Sequence, residues 1–113
     1  MVAVSFSPKS RQDILDIGDY IAKDSQDSAR RFVGKLIEQC QRIGNAPLAY
    51  TAREDLAPGF CMAPIGRYVV FFRVLGEMVR VERVLHGARD LPAIFGQGVR
   101  QDARQSNVSR GRK

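Results

Sequence analysis

The residues best able to do chemistry in this sequence are arginines around the only histidine, within residues 66–95. The set comprises Arg67, Arg73, Arg80, Arg83, His86 and Arg89. No lysine occurs between Lys35 and Lys113, so every cation of this segment is a guanidinium. A guanidinium binds carboxylates and phosphates through a planar fork of N–H donors, but it keeps its proton at working pH. The pattern predicts a face that contacts an anionic partner; the alternative is that the arginines only pack their long stems on a sheet.

His86 offers a catalytic alternative, which is cleavage of RNA through its 2′-hydroxyl. That reaction needs a base, an acid and a cation that neutralises the phosphorane charge. His86 is the side chain that titrates near neutrality, and Arg67 and Arg89 could neutralise the charge. Asp90 could orient His86 or pair with Arg89, but we expect it to bracket the end of a strand. A histidine at a strand end is more often packed or on the surface than catalytic, so we favour a protein that is not an enzyme.

Metal and cofactor chemistry have little support in the sequence. One histidine and two scattered cysteines, Cys40 and Cys61, do not supply the three or four convergent ligands of a zinc site. No glycine loop of the P-loop or dinucleotide-binding type is present. We therefore expect no metal and no cofactor, and we expect both cysteines to be reduced and packed.

The length of 113 residues and the distribution of charge predict one small domain with a basic tail. Residues 97–113 carry five cations against Asp102, which is most of the formal net charge of +6. We place the domain at residues 1–96 and expect the tail to be flexible, without sequence-specific binding of nucleic acid. No secretory signal and no membrane-spanning run is evident, so we expect a cytoplasmic protein.

A β-hairpin is predicted to carry the arginines. Apolar residues alternate in the two arms, Tyr68–Leu75 and Val79–His86, with the period of a strand. In the second arm Val79, Val81 and Leu85 are expected on one face, with Arg80, Glu82 and His86 on the other. Gly76-Glu77 suits a two-residue type II′ turn. Because both faces of the first arm are apolar, we expect the domain to cover one face and a partner to cover the other.

The rest of the chain predicts a helical hairpin on this sheet. A short strand at Val2–Phe6 precedes a helix at Pro8–Lys23 with Ser7 as its cap. A second helix follows the polar break 24–28 and ends near Gly44; its apolar stripe comprises Ala29, Phe32, Val33, Leu36, Ile37 and Cys40. A loop at 47–59, a strand at Phe60–Ile65 and a closing apolar segment at 91–95 complete the chain. The order β-α-α-β-β-β predicts an α+β fold of two layers, with the helical hairpin packed on a mostly antiparallel sheet.

Four stretches of the sequence, taken in order, resemble the ParE branch of the RelE/ParE toxin superfamily, whose members include plasmid stabilisation toxins. They are DILDIGDYIAKDS and ARRFVGKLIEQ in the helices, and GRYVVFFRV and RVLHGARDLPAIF in the hairpin. The resemblance covers Val2 to about Phe95. It implies the toxin of a toxin–antitoxin pair, neutralised by a ParD-like or similar cognate antitoxin, which inhibits DNA gyrase by binding to it. A ribosome-dependent mRNA endoribonuclease of the RelE type and a non-toxic relative that only binds an antitoxin remain as alternatives.

The resemblance also suggests roles for single residues. RelE-type nucleases use lysines, arginines and a C-terminal tyrosine or histidine. The family's arginine in the sheet would correspond here to Arg67 or its neighbour, and the arginine after the last strand would correspond to Arg89. The lysines have no counterpart in the hairpin, and Phe95 stands at the position of the C-terminal aromatic without a hydroxyl group. These departures favour binding, and we expect the six-residue set of arginines and His86 to contact the target. For the antitoxin, exposed apolar anchors are expected at Ile17, Tyr20, Phe71 and Phe72.

Overall fold

A computed structural model describes residues 3–90 and has the predicted two-layer α+β architecture. Its elements in chain order are β1 (Ala3–Phe6), α1 (Pro8–Ala22), α2 (Gln26–Asn45), a 3₁₀ turn (Pro47–Ala49), β2 (Thr51–Ala52), β3 (Cys61–Ile65), β4 (Tyr68–Leu75) and β5 (Met78–His86). The sheet order is β1-β5-β4-β3-β2, in which only the β1–β5 pair is parallel. The closing segment at 91–95 and the basic tail lie outside the described residues.

Local signals positioned the helices correctly. The hydroxyl of Ser7 accepts the Ser10 backbone N–H at 3.0 Å, and that of Ser25 accepts the Ser28 N–H at 3.1 Å. Each side chain thus satisfies an N–H that has no partner in the first turn of a helix. The prediction of an unstructured loop at 47–59 is wrong in part, because this stretch contains the 3₁₀ turn and the edge strand β2.

The main core lies between the helices and one face of the sheet. The inward side of α2 contributes Phe32, Leu36, Cys40 and Ile43, and the sheet contributes Val70, Phe72, Val79, Val81 and Val84. The predicted apolar stripe of α2 is wrong in one respect: Val33 is 39% exposed and Ile37 is 53% exposed. These two residues lie on the flank of the helix that faces away from the sheet.

The second face of the sheet is covered by the chain itself. Phe60, Val69, Phe71 and Leu85 form a smaller core under the loop at 53–60, where Leu56 and Ala57 pack against it. The loop is closed by a hydrogen bond of 2.7 Å from the Arg53 N–H to the Phe60 carbonyl. The expectation that a partner covers the apolar residues of this face is therefore wrong.

Both hairpins turn through glycine, as expected for Gly76. Gly66 and Gly76 have φ values of 59° and 62°, in the left-handed region that residues with a Cβ adopt only with strain. Each glycine opens a two-residue turn, because Ile65 pairs with Tyr68 and Leu75 pairs with Met78.

A β-bulge interrupts the predicted alternation in β5. Phe72 pairs with Val81 and Phe71 with Arg83, so Glu82 is an extra residue between two consecutive pairs. Beyond an inserted residue, every following side chain changes face. Leu85 therefore lies in the second core with Phe71, while Val84 lies in the main core. The prediction that Leu85 shares a face with Val79 and Val81 is wrong for this reason.

Candidate functional site

The six residues predicted to contact the target do not lie together, and the bulge at Glu82 puts His86 on the opposite face of the sheet from Arg73 and Arg80. Arg73 and Arg80 pair across β4 and β5 near the Gly76 turn, on the second face of the sheet. His86 pairs with Tyr68 about five residues further along the ladder, which is roughly 16 Å at the rise of a strand. The predicted continuous arginine face is therefore two separate clusters.

Arg83 is engaged by helix α1. Its Nε and Nη2 atoms donate to the two carboxylate oxygens of Asp13 at 2.8 and 2.9 Å, and the Val84 backbone N–H donates to the same carboxylate at 3.0 Å. The hydrogen bond to Asp13 raises the pKa of Arg83 above its ordinary value. The Arg83 side chain is 22% exposed and that of Asp13 is 13% exposed. The fork of Arg83 thus joins α1 to the edge of β5, and a contact of Arg83 with the target stays a prediction.

His86 lies at the end of β5 with its ring against Tyr68, at a centroid distance of 5.3 Å. Its Nδ1 atom accepts the Arg89 backbone N–H at 3.1 Å. The Nδ1 lone pair of His86 is therefore used to hold the backbone after the end of β5.

Asp90 brackets the end of the strand as predicted and also pairs with Arg89. Its carboxylate accepts the His86 backbone N–H at 3.0 Å and the Arg89 Nε–H at 3.0 Å. The Arg89 guanidinium lowers the pKa of Asp90, and the His86 N–H adds to the effect. Arg89 remains largely exposed, and its guanidinium lies 5.7 Å from the centre of the Tyr20 ring. A cavity of about 370 Å³ between α1 and β5 has Arg83, Arg89, Asp13, Asp90 and Tyr20 among its lining residues.

Arg67 is the exposed cation of the β3–β4 turn. Its carbonyl accepts the Gly87 N–H at 3.0 Å, which ties this turn to the end of β5. The side chain lines a second cavity, of about 210 Å³, together with Arg31 and Lys35 of α2. The structure thus brings Arg67, His86 and Arg89 to one end of the molecule.

Arg73 and Arg80 share one carboxylate. The Nε atoms of both arginines lie 3.7 Å from the carboxylate oxygens of Glu82. The Arg73 guanidinium also stacks over the Phe60 ring at 5.0 Å. A contact with the target at these two arginines stays a prediction.

The predicted antitoxin anchors are mostly core residues. Ile17 is 6% exposed, and Phe71 and Phe72 are fully buried, so the expectation that they are surface anchors is wrong. Tyr20 alone of the four is exposed, at 61%. Exposed apolar residues on the helices were missed: Leu15, Val33 and Ile37. Their positions in a helical pattern gave no signal of exposure, because the same pattern fits a buried face.

Among residues 3–90 no group of His, Cys, Asp or Glu is arranged to hold a metal ion. In the same residues no helix combines the length and the apolar composition needed to cross a bilayer.

Comparison with known proteins identifies relatives of this fold. Residues 4–91 match the model of the family described as ParE toxin of type II toxin-antitoxin system, parDE. A chain of the chromosomal ParDE system from P. aeruginosa is 20% identical with a TM-score of 0.65, and the match covers 76% of this chain and 96% of that one. A chain of the RelBE2 toxin–antitoxin complex from Mycobacterium tuberculosis is 22% identical with a TM-score of 0.52, covering 75% of this chain and 96% of that one. The sequence matches no curated protein.

Proposed function

The chain belongs to the ParE toxin family of type II toxin–antitoxin systems, and we propose from this premise that it is a cytoplasmic toxin that inhibits DNA gyrase by binding to it. The observation that carries the proposal is the match to the ParE family over residues 4–91, nearly the whole described domain. Inhibition then depends on surface contacts and not on a reagent supplied by the toxin.

The geometry around His86 supports binding over RNA cleavage. A nuclease of the RelE type would need a base close to the 2′-hydroxyl. Here the Nδ1 atom of His86 is occupied by a backbone N–H, and Arg83 and Arg89 are both held by carboxylates. We propose that Arg67, Arg89 and His86 contact the target, because they lie at one end of the molecule and the two arginines are exposed there.

The gyrase proposal is tested with the purified full chain in two assays. We expect inhibition of supercoiling and accumulation of cleaved DNA with gyrase, and no cuts in mRNA in a translation assay. Arg67→Gln and Arg89→Gln should weaken inhibition about tenfold each, the size expected for a lost hydrogen bond to a charged group. Arg30→Gln is the matched control, because Arg30 is an exposed arginine paired with the nearby Asp27, as Arg89 is with Asp90. Ribosome-dependent mRNA cleavage that is lost in His86→Gln would refute the proposal in favour of the nuclease.

We further propose that a cognate antitoxin covers the outward side of the helical hairpin. Leu15, Val33 and Ile37 are exposed on the two helices, and Tyr20 is exposed at the edge of α1 next to Arg89. Water-exposed apolar residues on two neighbouring helices suit an amphipathic partner segment. An antitoxin segment that orders on binding would bury them without any change to the toxin core.

The antitoxin surface is tested by co-expression with the antitoxin encoded beside the gene. Ile37→Glu places a charge in the proposed interface and should prevent co-purification. Leu48→Glu is the control, since Leu48 is an 85% exposed leucine in the 3₁₀ turn, outside the helical hairpin. Equal retention of the antitoxin by both variants would exclude this surface.

A further inference from the structure

Two arginines on the second face of the sheet have a buried Nε atom without a hydrogen-bond partner among the described residues. Arg73 and Arg80 stand directly opposite each other in the β4–β5 register, where like charges destabilise a strand pair. Glu82 lies between them, but its oxygens are 3.7 Å from each Nε, which is too long for a hydrogen bond. Both Nε atoms are buried, and residues 3–90 offer neither of them a hydrogen-bond partner. A buried N–H without an acceptor is costly, so this cluster is short of acceptor atoms.

The surroundings of the two arginines hold them in place. Arg73 stacks on Phe60 at 5.0 Å, which fixes the plane of its guanidinium. Arg80 and Glu82 line a cavity of about 370 Å³ whose other wall is formed by Ser7, Pro8 and Lys9 at the start of α1. The positive end of the α1 dipole is therefore on the same cavity.

The balance of charge at this cavity is positive. Arg83 also reaches the cavity, but its charge is compensated by Asp13. Arg80 and Lys9 line the cavity against Glu82, and Arg73 lies beside Glu82, so these three cations and one carboxylate carry a net charge of +2.

We propose that the Arg73–Arg80 pair binds a backbone phosphate of a nucleic-acid strand, with Lys9 contacting a second phosphate. Glu82 forms an ion pair with both arginines at 3.7 Å but a hydrogen bond with neither Nε atom, whereas a tetrahedral phosphate offers more acceptor oxygens to two forks. The site is shallow, with the arginine side chains 39% and 42% exposed, so it suits one phosphate in a long strand better than an enclosed small molecule. Contact is made to the backbone and is independent of base sequence.

Substitution of Glu82 tests the proposal, because the proposal predicts that binding becomes stronger when this carboxylate is removed. It is the acceptor that competes with the phosphate for both arginines, so Glu82→Gln should strengthen binding several-fold at low salt because the opposing charge is removed. A cluster that is only structural predicts no gain in this variant.

The assay is fluorescence anisotropy of a labelled single-stranded DNA oligonucleotide with the full-length chain, titrated at several salt concentrations. Arg73→Gln and Arg80→Gln should each weaken binding about tenfold at low salt. Loss of one phosphate contact should reduce the slope of log K against log salt by about 0.7. Arg30→Gln removes the same charge from an exposed position on α2 and should weaken binding much less. Every variant keeps the basic tail, so differences from the unmodified chain report on the cluster.

Four results would overturn the proposal. Glu82→Gln could fail to bind more tightly, or Arg30→Gln could weaken binding as much as Arg80→Gln, which would indicate only a response to net charge. Displacement of the oligonucleotide by micromolar inorganic phosphate would indicate a site for a free anion, and equal displacement by polyglutamate would indicate an acidic protein partner. Since the anisotropy assay contains no gyrase, its result does not depend on whether the proposed protein target is correct.

Discussion

The Asp13–Arg83 pair should be a main source of stability, because it joins the first helix to the last strand. The carboxylate of Asp13 accepts three hydrogen bonds of 2.8, 2.9 and 3.0 Å, two from Arg83 and one from the Val84 backbone. Asp13→Ala removes all three and leaves a mostly buried guanidinium and a backbone N–H without acceptors. Loss of one partner from a fully buried pair costs about 3–5 kcal/mol, and the partial exposure of this pair reduces the expected cost to about 2–4 kcal/mol.

A double-mutant cycle measures the pair itself. Urea unfolding followed by circular dichroism gives the free energy of unfolding for the parent, Asp13→Ala, Arg83→Met and the double variant. Arg83→Met keeps an apolar stem and leaves Asp13 bonded to Val84, so it should cost less than Asp13→Ala. The double variant should be more stable than the sum of the two losses by about 1–3 kcal/mol, since the second change removes a charge already without a partner.

Asp19→Ala provides the control, because Asp19 is an exposed aspartate on the same helix. Its change in the free energy of unfolding should stay within about 0.5 kcal/mol. A cost below about 1 kcal/mol for Asp13→Ala, or strict additivity in the cycle, would refute the assignment of Arg83 to a structural pair. If the assignment holds, a charge reversal at Arg83 destabilises the fold, and such a variant gives no information on target contact.

Three further predictions concern single groups. Burial raises the pKa of the Cys40 thiol to about 11, so iodoacetamide at pH 8 should not label this cysteine in the native protein. In the denatured protein the same cysteine should be labelled rapidly, as measured by mass spectrometry. The pKa of Asp90 is lowered from its ordinary value of 3.8, so its carboxylate should keep the hydrogen bond from the His86 N–H until the pH falls through the lower folded-state pKa. The chemical shift of the His86 amide in NMR should titrate with that midpoint. Asp90→Asn should abolish the titration. Gly34→Ala should raise the free energy of unfolding by about 0.5–1 kcal/mol, because a Cβ there meets no atom within 4 Å in a helix, whereas Gly76→Ala should lower it because φ is +62°. Labelled native Cys40, an amide midpoint at or above 3.8, or equal effects of the two glycine changes would contradict the respective argument.

Features that depend on neighbours in the chain could be predicted from the sequence alone. The caps at Ser7 and Ser25 and the glycine turns at Gly66 and Gly76 follow from the preferences of one to four residues. The helical and strand periods of the apolar residues were enough to predict the two layers. The ordered set of motifs predicted the family, and the family match confirmed it.

The grouping of the functional side chains was decided by tertiary structure. Arg83 meets Asp13 across 70 positions of sequence, and no local preference encodes that pair. The bulge at Glu82 placed Leu85 in the second core and separated Arg73 and Arg80 from His86 and Arg89. Side chains of a strand alternate between its two faces, so one inserted residue moves every following side chain to the opposite face. Only packing against both layers determines where that residue is inserted. The sequence by itself thus determined which residues carry charge, and the packed sheet decided which of those charges remain available to a partner.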